Sequence, residues 1–133
     1  INAYLKQTGQ AAITDKGQMA RAILESLALR YREVMRWLED LSGGAIEVLH
    51  IVGGGIQNEL LCQFTADALG KQVVTGPIEA TASGNILLQA KALGEVKSLA
   101  EMRQVVRNSF ELKTYEPRDK AAWDAWAKKA GKP

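Results

Sequence analysis

The sequence predicts an α/β fold, mostly helical and with few strands, on three observations. Apolar residues recur every three or four positions from Ala20 through Ile23, Leu24, Leu27, Tyr31 and Val34 to Leu38, the period of an amphipathic helix. Ala45 to Val52 is a short apolar run broken only by Glu47 and His50, the pattern of a parallel strand buried on both faces. Gly53-Gly54-Gly55 closes that run, and a second helical pattern begins at Asn58.

The long first helix opens at Asp15-x-x-Gln18, a capping box whose side chains can satisfy orphan backbone N–H groups, and Ser42-Gly43-Gly44 ends it. The helix from Asn58 is expected to bury Leu60, Leu61, Phe64 and Ala68 and to stop at Gly70, which suits a left-handed cap. Gln72-Val73-Val74 reads as a second strand, and Thr75-Gly76-Pro77 turns the chain out of it. A third helix starts at Thr81 or Ser83, presents Ile86, Leu87, Ala90 and Leu93, and ends at Gly94; Gly84 is expected to let it approach a neighbour closely. Ser98-x-x-Glu101 is a second capping box, opening a helix to about Val106. After Tyr115-Glu116-Pro117 a last helix carries Trp123 and Trp126, read as a docking stripe for another domain or subunit. Two strands make a poor sheet, since an apolar edge stays unpaired. Further strands are therefore expected before Ile1, and copies of the chain can associate as a homo-oligomer through the open edge.

Composition bounds the function. The 133 residues are 47% hydrophobic and 24% charged, too mixed for a membrane or disordered protein. A net charge of +2 argues against nucleic acid as the partner. No apolar run approaches the roughly 20 residues of a membrane span. The lone Cys62 excludes an intrachain disulfide and suits the cytoplasm.

The triple glycine carries the chemistry. Glycines after a buried strand mark a sharp turn or a close approach of backbone to something else, often an anion seated at a helix N-terminus. The Walker phosphate loop is excluded, because Gly70-Lys71 is followed by Gln72. The dinucleotide fingerprint G-x-G-x-x-G fails at its third glycine, where Asn58 stands. Three other readings remain beside binding of a mononucleotide: a bend with Asn58 serving only as helix cap, a non-catalytic interaction module, and dinucleotide binding despite the missing glycine. Glu79 is read as a loop-orienting residue, His50 as a core or edge histidine, Cys62 as packing, and Asp67 as a solvated helix residue.

The run Gly53-Gly54-Gly55-Ile56-Gln57-Asn58, then Gln63, then Ala66-Asp67-Ala68-Leu69-Gly70-Lys71-Gln72-Val73, then Glu79-Ala80-Thr81-Ala82-Ser83-Gly84-Asn85, resembles the C-terminal domain of the FGGY family of carbohydrate kinases. The likeness covers about Gly17 to Pro117, with Asn85 standing where many relatives have alanine. It implies the C-terminal part of an actin-like ATPase domain of the ribonuclease H-like type, ATP with Mg2+ as cofactors, and phosphoryl transfer to a ketose. Residues 1–133 would then be a fragment of the nucleotide-binding domain, lacking the N-terminal domain and the start of the second. The resemblance sets ATP or ADP against Gly54 and Asn58, with Gly53, Gly55 and Gln57 forming the rest of the turn. Its catalytic aspartate and phosphate loops lie upstream, so no catalytic residue is expected in this chain, and the isolated chain is expected to be inactive. Gly76-Pro77-Ile78-Glu79-Ala80, Gly84-Asn85 and Arg103-Gln104-Val105-Val106 single out one branch of the family, although xylulose, gluconate and glycerol kinases share the turn.

Overall fold

The computed structural model describes residues 1–130. A short helix α1 (Asn2–Gln7), which the sequence reading does not anticipate, precedes the long α2 (Lys16–Ser42). Asp15 caps α2 by accepting a hydrogen bond from the Gln18 backbone N–H at 2.7 Å, and Gly43 ends it with φ 71°. Next come strand β1 (Val48–Ile51), a 3-10 turn (Gly54–Gln57), helix α3 (Glu59–Leu69) and strand β2 (Gln72–Thr75). Helices α4 (Ala80–Ala92) and α5 (Leu99–Ser109), strand β3 (Thr114–Tyr115) and helix α6 (Lys120–Ala130) complete the described chain.

The sheet has three strands in the order β1-β2-β3, with β1 parallel and β3 antiparallel to β2. The sequence reading finds only two. Two residues of Thr114–Tyr115 are too few to show an alternation, and the pairing depends on Thr75, whose N–H donates to the Lys113 carbonyl at 2.8 Å and whose hydroxyl accepts from the Lys113 N–H at 2.9 Å. Central β2 therefore buries Val73 and Thr75. Strand β1 is shorter than the apolar run and is not buried on both faces. Val48, Leu49 and Ile51 are half-buried and His50 is exposed, because β1 lies at the edge of the sheet.

Helix α3 is the hub, buried from Phe64 to Leu69. One side packs Phe64 and Ala68 against Ala28 of α2 and Trp123 of α6; the other sets Ala66 and Leu69 against Met35 of α2 and Val73 of β2. Trp123, 2% exposed, thus belongs to the core and not to a docking stripe; its ring meets Phe64 at 5.4 Å and the half-exposed Trp126 at 5.2 Å. Asp67 is likewise buried, not solvated. Its Oδ1 accepts from Gln63 Nε2 at 3.0 Å and from the Arg118 N–H at 2.6 Å, which ties the approach to α6 onto α3. A buried carboxylate is tolerable only with such donors.

The face of α2 differs from the periodic expectation as well. Ala28 and Met35 are buried, whereas Ile23, Leu27, Tyr31, Val34 and Leu38 stay exposed, since α3 covers only one side of the stripe. Leu60, Ile86 and Leu93 are also exposed. Helix α4 begins at Ala80, earlier than expected, and neither Thr81 nor Ser83 caps it: the Ser83 hydroxyl donates back to the Glu79 carbonyl at 2.9 Å. Gly84 has open space around it, with no neighbour approaching among the described residues. In α5, Ser98 accepts from the Glu101 N–H at 3.1 Å, while Glu101 accepts from the Lys97 N–H at 2.8 Å, so the box closes one residue early.

Candidate functional site

The glycine turn sits where β1 leaves the sheet. Gly53 has φ 85°, a conformation open to glycine and strained for other residues, and its N–H donates to the Pro77 carbonyl at 3.1 Å. Gly76, just past β2, donates to the Ile51 carbonyl at 2.7 Å. The two bonds stitch the exits of β1 and β2 together and fix the direction in which the turn projects. Gly54, Gly55, Ile56 and Gln57 then wind one 3-10 turn, closed by the Ile56 N–H to the Gly53 carbonyl and the Asn58 N–H to the Gly55 carbonyl, both at 3.2 Å. The glycines therefore open into this turn and reach α3 only after it. Asn58 caps α3: its Oδ1 accepts from the Leu61 N–H at 3.0 Å.

Gly54 and Gly55 differ from Gly53 in kind. Neither has positive φ, and a Cβ built on either meets no atom within 4 Å. The described fold gives no internal reason for glycine at these positions. Both are exposed, as are Gln57 and Asn58.

A cleft of about 420 Å³ opens beside the turn, lined among others by Ile56, Gln57, Gly76, Pro77, Phe110 and Lys113. Its volume lies within the range of small-molecule sites. Of the five turn residues singled out from the sequence, only Gln57 lines it. Gly55 instead borders an apolar groove of about 310 Å³ between α2 and β1, with Tyr31, Leu38, Leu49 and Cys62. The turn is thus a ridge between two concavities. Phe110 and Lys113 reach the cleft because β3 pairs with β2, and the sequence carries no local signal for that pairing.

Three carboxylates, Glu59, Glu79 and Glu111, and one cation, Lys113, line the cleft, and only Glu59 is paired among the described residues. Lys113 Nζ donates to Glu59 Oε1 at 2.5 Å, which holds the Glu59 carboxyl below its ordinary value and raises the Lys113 ammonium. Cys62 is buried, its Sγ 3.9 Å from the Ile56 carbonyl, and burial pushes its thiol up, which accords with a packing role. His50 lies exposed on β1, an edge histidine. Glu79, exposed, precedes α4 and makes no capping bond from its side chain. Among the described residues no group of three or more His, Cys, Asp or Glu can hold a metal ion, and no helix is long and apolar enough to cross a membrane.

Solved structures share this fold. The chain superposes on the xylulose kinase from Rhodospirillum rubrum with a TM-score of 0.67 at 20% identity, covering 90% of this chain and 24% of that one. It superposes on Plasmodium falciparum glycerol kinase with ADP with a TM-score of 0.65 at 24% identity, covering 83% and 21%. The fold is that of the C-terminal part of an actin-like ATPase domain. The family model for the FGGY family of carbohydrate kinases, C-terminal domain, matches residues 2–93, and the chain belongs to that family.

Among relatives, a rhamnulokinase from Bacteroides thetaiotaomicron is 54% identical over 125 residues, 94% of this chain and 26% of that protein. A Bacillus subtilis rhamnulokinase is 47% identical over 119 residues, 90% of this chain and 24% of that protein. One from Halalkalibacterium halodurans is 40% identical over 120 residues, 90% and 26%. The chain spans 24–26% of the length of these curated relatives.

Proposed function

We propose that this chain is the adenosine-side part of the nucleotide-binding domain of a rhamnulokinase, a cytoplasmic enzyme that moves the γ-phosphoryl group of ATP to the 1-hydroxyl of L-rhamnulose. The observation that carries the nucleotide reading is the pair Gly54 and Gly55, glycines at ordinary φ with open space where side chains would stand. A bound nucleotide supplies the missing reason, since absent Cβ atoms let the α-phosphate and ribose approach the backbone. Asn58 flanks that approach at the start of α3, where helix N–H groups favour an anion. Gly53 holds the turn at a positive φ that suits glycine, and Gly55 and Gln57 complete its wall, Gln57 toward the cleft. The substrate assignment is supported by identities of 40–54% to rhamnulokinases.

Among the described residues no group of three or more His, Cys, Asp or Glu gathers that could by itself hold the magnesium such a transfer uses. Phosphoryl transfer also needs a base and phosphate-gripping loops. The isolated chain is expected to bind nucleotide without phosphorylating rhamnulose. Titration calorimetry with ADP and with NAD, on the wild-type chain and on Gly54→Val, tests the reading. Saturable ADP binding that Gly54→Val abolishes supports it, provided the variant keeps its circular dichroism spectrum. Tighter binding of NAD would transfer the turn to dinucleotides, and heat from neither ligand would leave the glycines as a bend in an interaction module.

A further inference from the structure

Helices α2 and α6 wall a third concavity, in two adjoining parts of about 430 and 360 Å³ that share Arg32, Arg36 and Ala127. Five cations line it, Arg30, Arg32, Arg36, Lys120 and Lys128, against the carboxylates of Glu33 and Asp124. The whole chain carries a net charge of only +2, so positive charge is concentrated here. Arg30 is taken up by Glu33 and lies over the Trp37 ring. Asp124 is shared: its Oδ1 accepts from Arg32 Nη2 at 2.5 Å and its Oδ2 from Lys120 Nζ at 2.6 Å. Arg36 and Lys128 have no ion-pair partner among the described residues. Arg32 Nη1 is enclosed and also lacks a hydrogen-bond partner among them.

We propose that this groove is an anion site for a small phosphate-bearing ligand, either inorganic phosphate or a phosphate monoester. The cations exceed the carboxylates by more than one charge, which a carboxylate ligand would leave partly uncompensated and a phosphate dianion offsets more fully. Guanidinium forks match phosphate oxygens in pairs, and the exposed Arg36 is the fork left open at the groove, with Lys128 as a second unpaired cation. The site is concave and walled by two helices, the shape of a small-ligand site. It shares no lining residue with the cleft at the glycine turn.

The test is a 1H–15N NMR titration of the chain with inorganic phosphate and, separately, with glycerol 3-phosphate, against sodium chloride at matched ionic strength. Saturable shifts of Arg32, Arg36 and Lys128 amides are expected. Arg36→Gln and Lys128→Gln should each weaken binding by about tenfold, the factor that a lost charge-assisted hydrogen bond carries. Arg103→Gln, a change to an exposed cation on α5, should leave it unchanged. Tighter binding of the ester names a metabolite ester as the ligand; equal binding names phosphate itself. Shifts that fail to saturate, that chloride reproduces, or that survive both groove substitutions would overturn the proposal.

Discussion

Gly53 and Gly54 are neighbours with opposite constraints, and single substitutions separate them. Gly53 sits at φ 85° and ψ −172°, a region that essentially only glycine occupies, so Gly53→Ala should cost about 1–3 kcal/mol. Gly54 has ordinary φ and open surroundings, so Gly54→Ala should leave stability unchanged or raise it by about 0.4–1 kcal/mol through the unfolded chain. Urea denaturation of both variants reads the difference, and equal losses would contradict this assignment. Asn58 combines a structural role with the proposed one. Asn58→Ala removes the bond to the Leu61 N–H and should cost about 1 kcal/mol. Asn58→Ser keeps a capping oxygen, so a variant that recovers stability but not ADP affinity would assign Asn58 a contact beyond the cap.

At the scale of elements, ion pairs join segments distant in sequence. Glu39 at the end of α2 bonds Lys71 before β2, Glu59 on α3 bonds Lys113 before β3, and Asp124 on α6 bonds Arg32 on α2. All three carboxyls are held below their ordinary values, 4.5 for the glutamates and 3.8 for the aspartate, first by side-chain hydrogen bonds from Lys71, Lys113 and Lys120 respectively. A depressed folded-state value means that the stabilisation is present above the ordinary value and is lost as pH falls through the depressed one. The urea midpoint should therefore hold from pH 7 to about pH 5 and decline below about pH 4. Glu39→Gln should make that decline shallower. Since these groups face solvent, the effect per pair is small and shrinks with salt. A midpoint insensitive to acid in both proteins would remove these pairs from the account.

Across the whole molecule, large apolar side chains stand exposed on α2 beside β1. Tyr31, Val34 and Leu38 line the groove beside β1, whose outer edge has no partner among the described residues. Contiguous apolar surface next to a free strand edge promotes association. The chain at rising concentration should show increasing mass by light scattering and should bind a hydrophobic dye; Leu38→Glu should reduce both. A constant monomer mass without dye binding would mean that this face is satisfied in the chain as it stands.

Local rules made much of this protein legible. Asp15, Gly43, Asn58, Gly70 and Ser98 act where the sequence puts them, because a cap depends only on residues within one turn. The glycine turn was legible for the same reason, and so was the family likeness that its flanking residues carry. Which apolar residues are buried was not. Periodicity marks a stripe on α2, but only the position of α3 decides that Ala28 and Met35 lie inside and Leu38 outside. Tertiary contact likewise made a buried anchor of Asp67, placed Trp123 in the core and added β3 to the sheet. Burial and strand pairing depend on partners far along the chain, about which a local pattern carries no information, whereas a cap or a turn is complete within a few residues. The sequence by itself determined the caps of α2, α3 and α5, though not that of α4, together with the turn and the family; only the packing of α2, α3 and α6 decided the core, and only the pairing of β3 with β2 formed the cleft beside the turn.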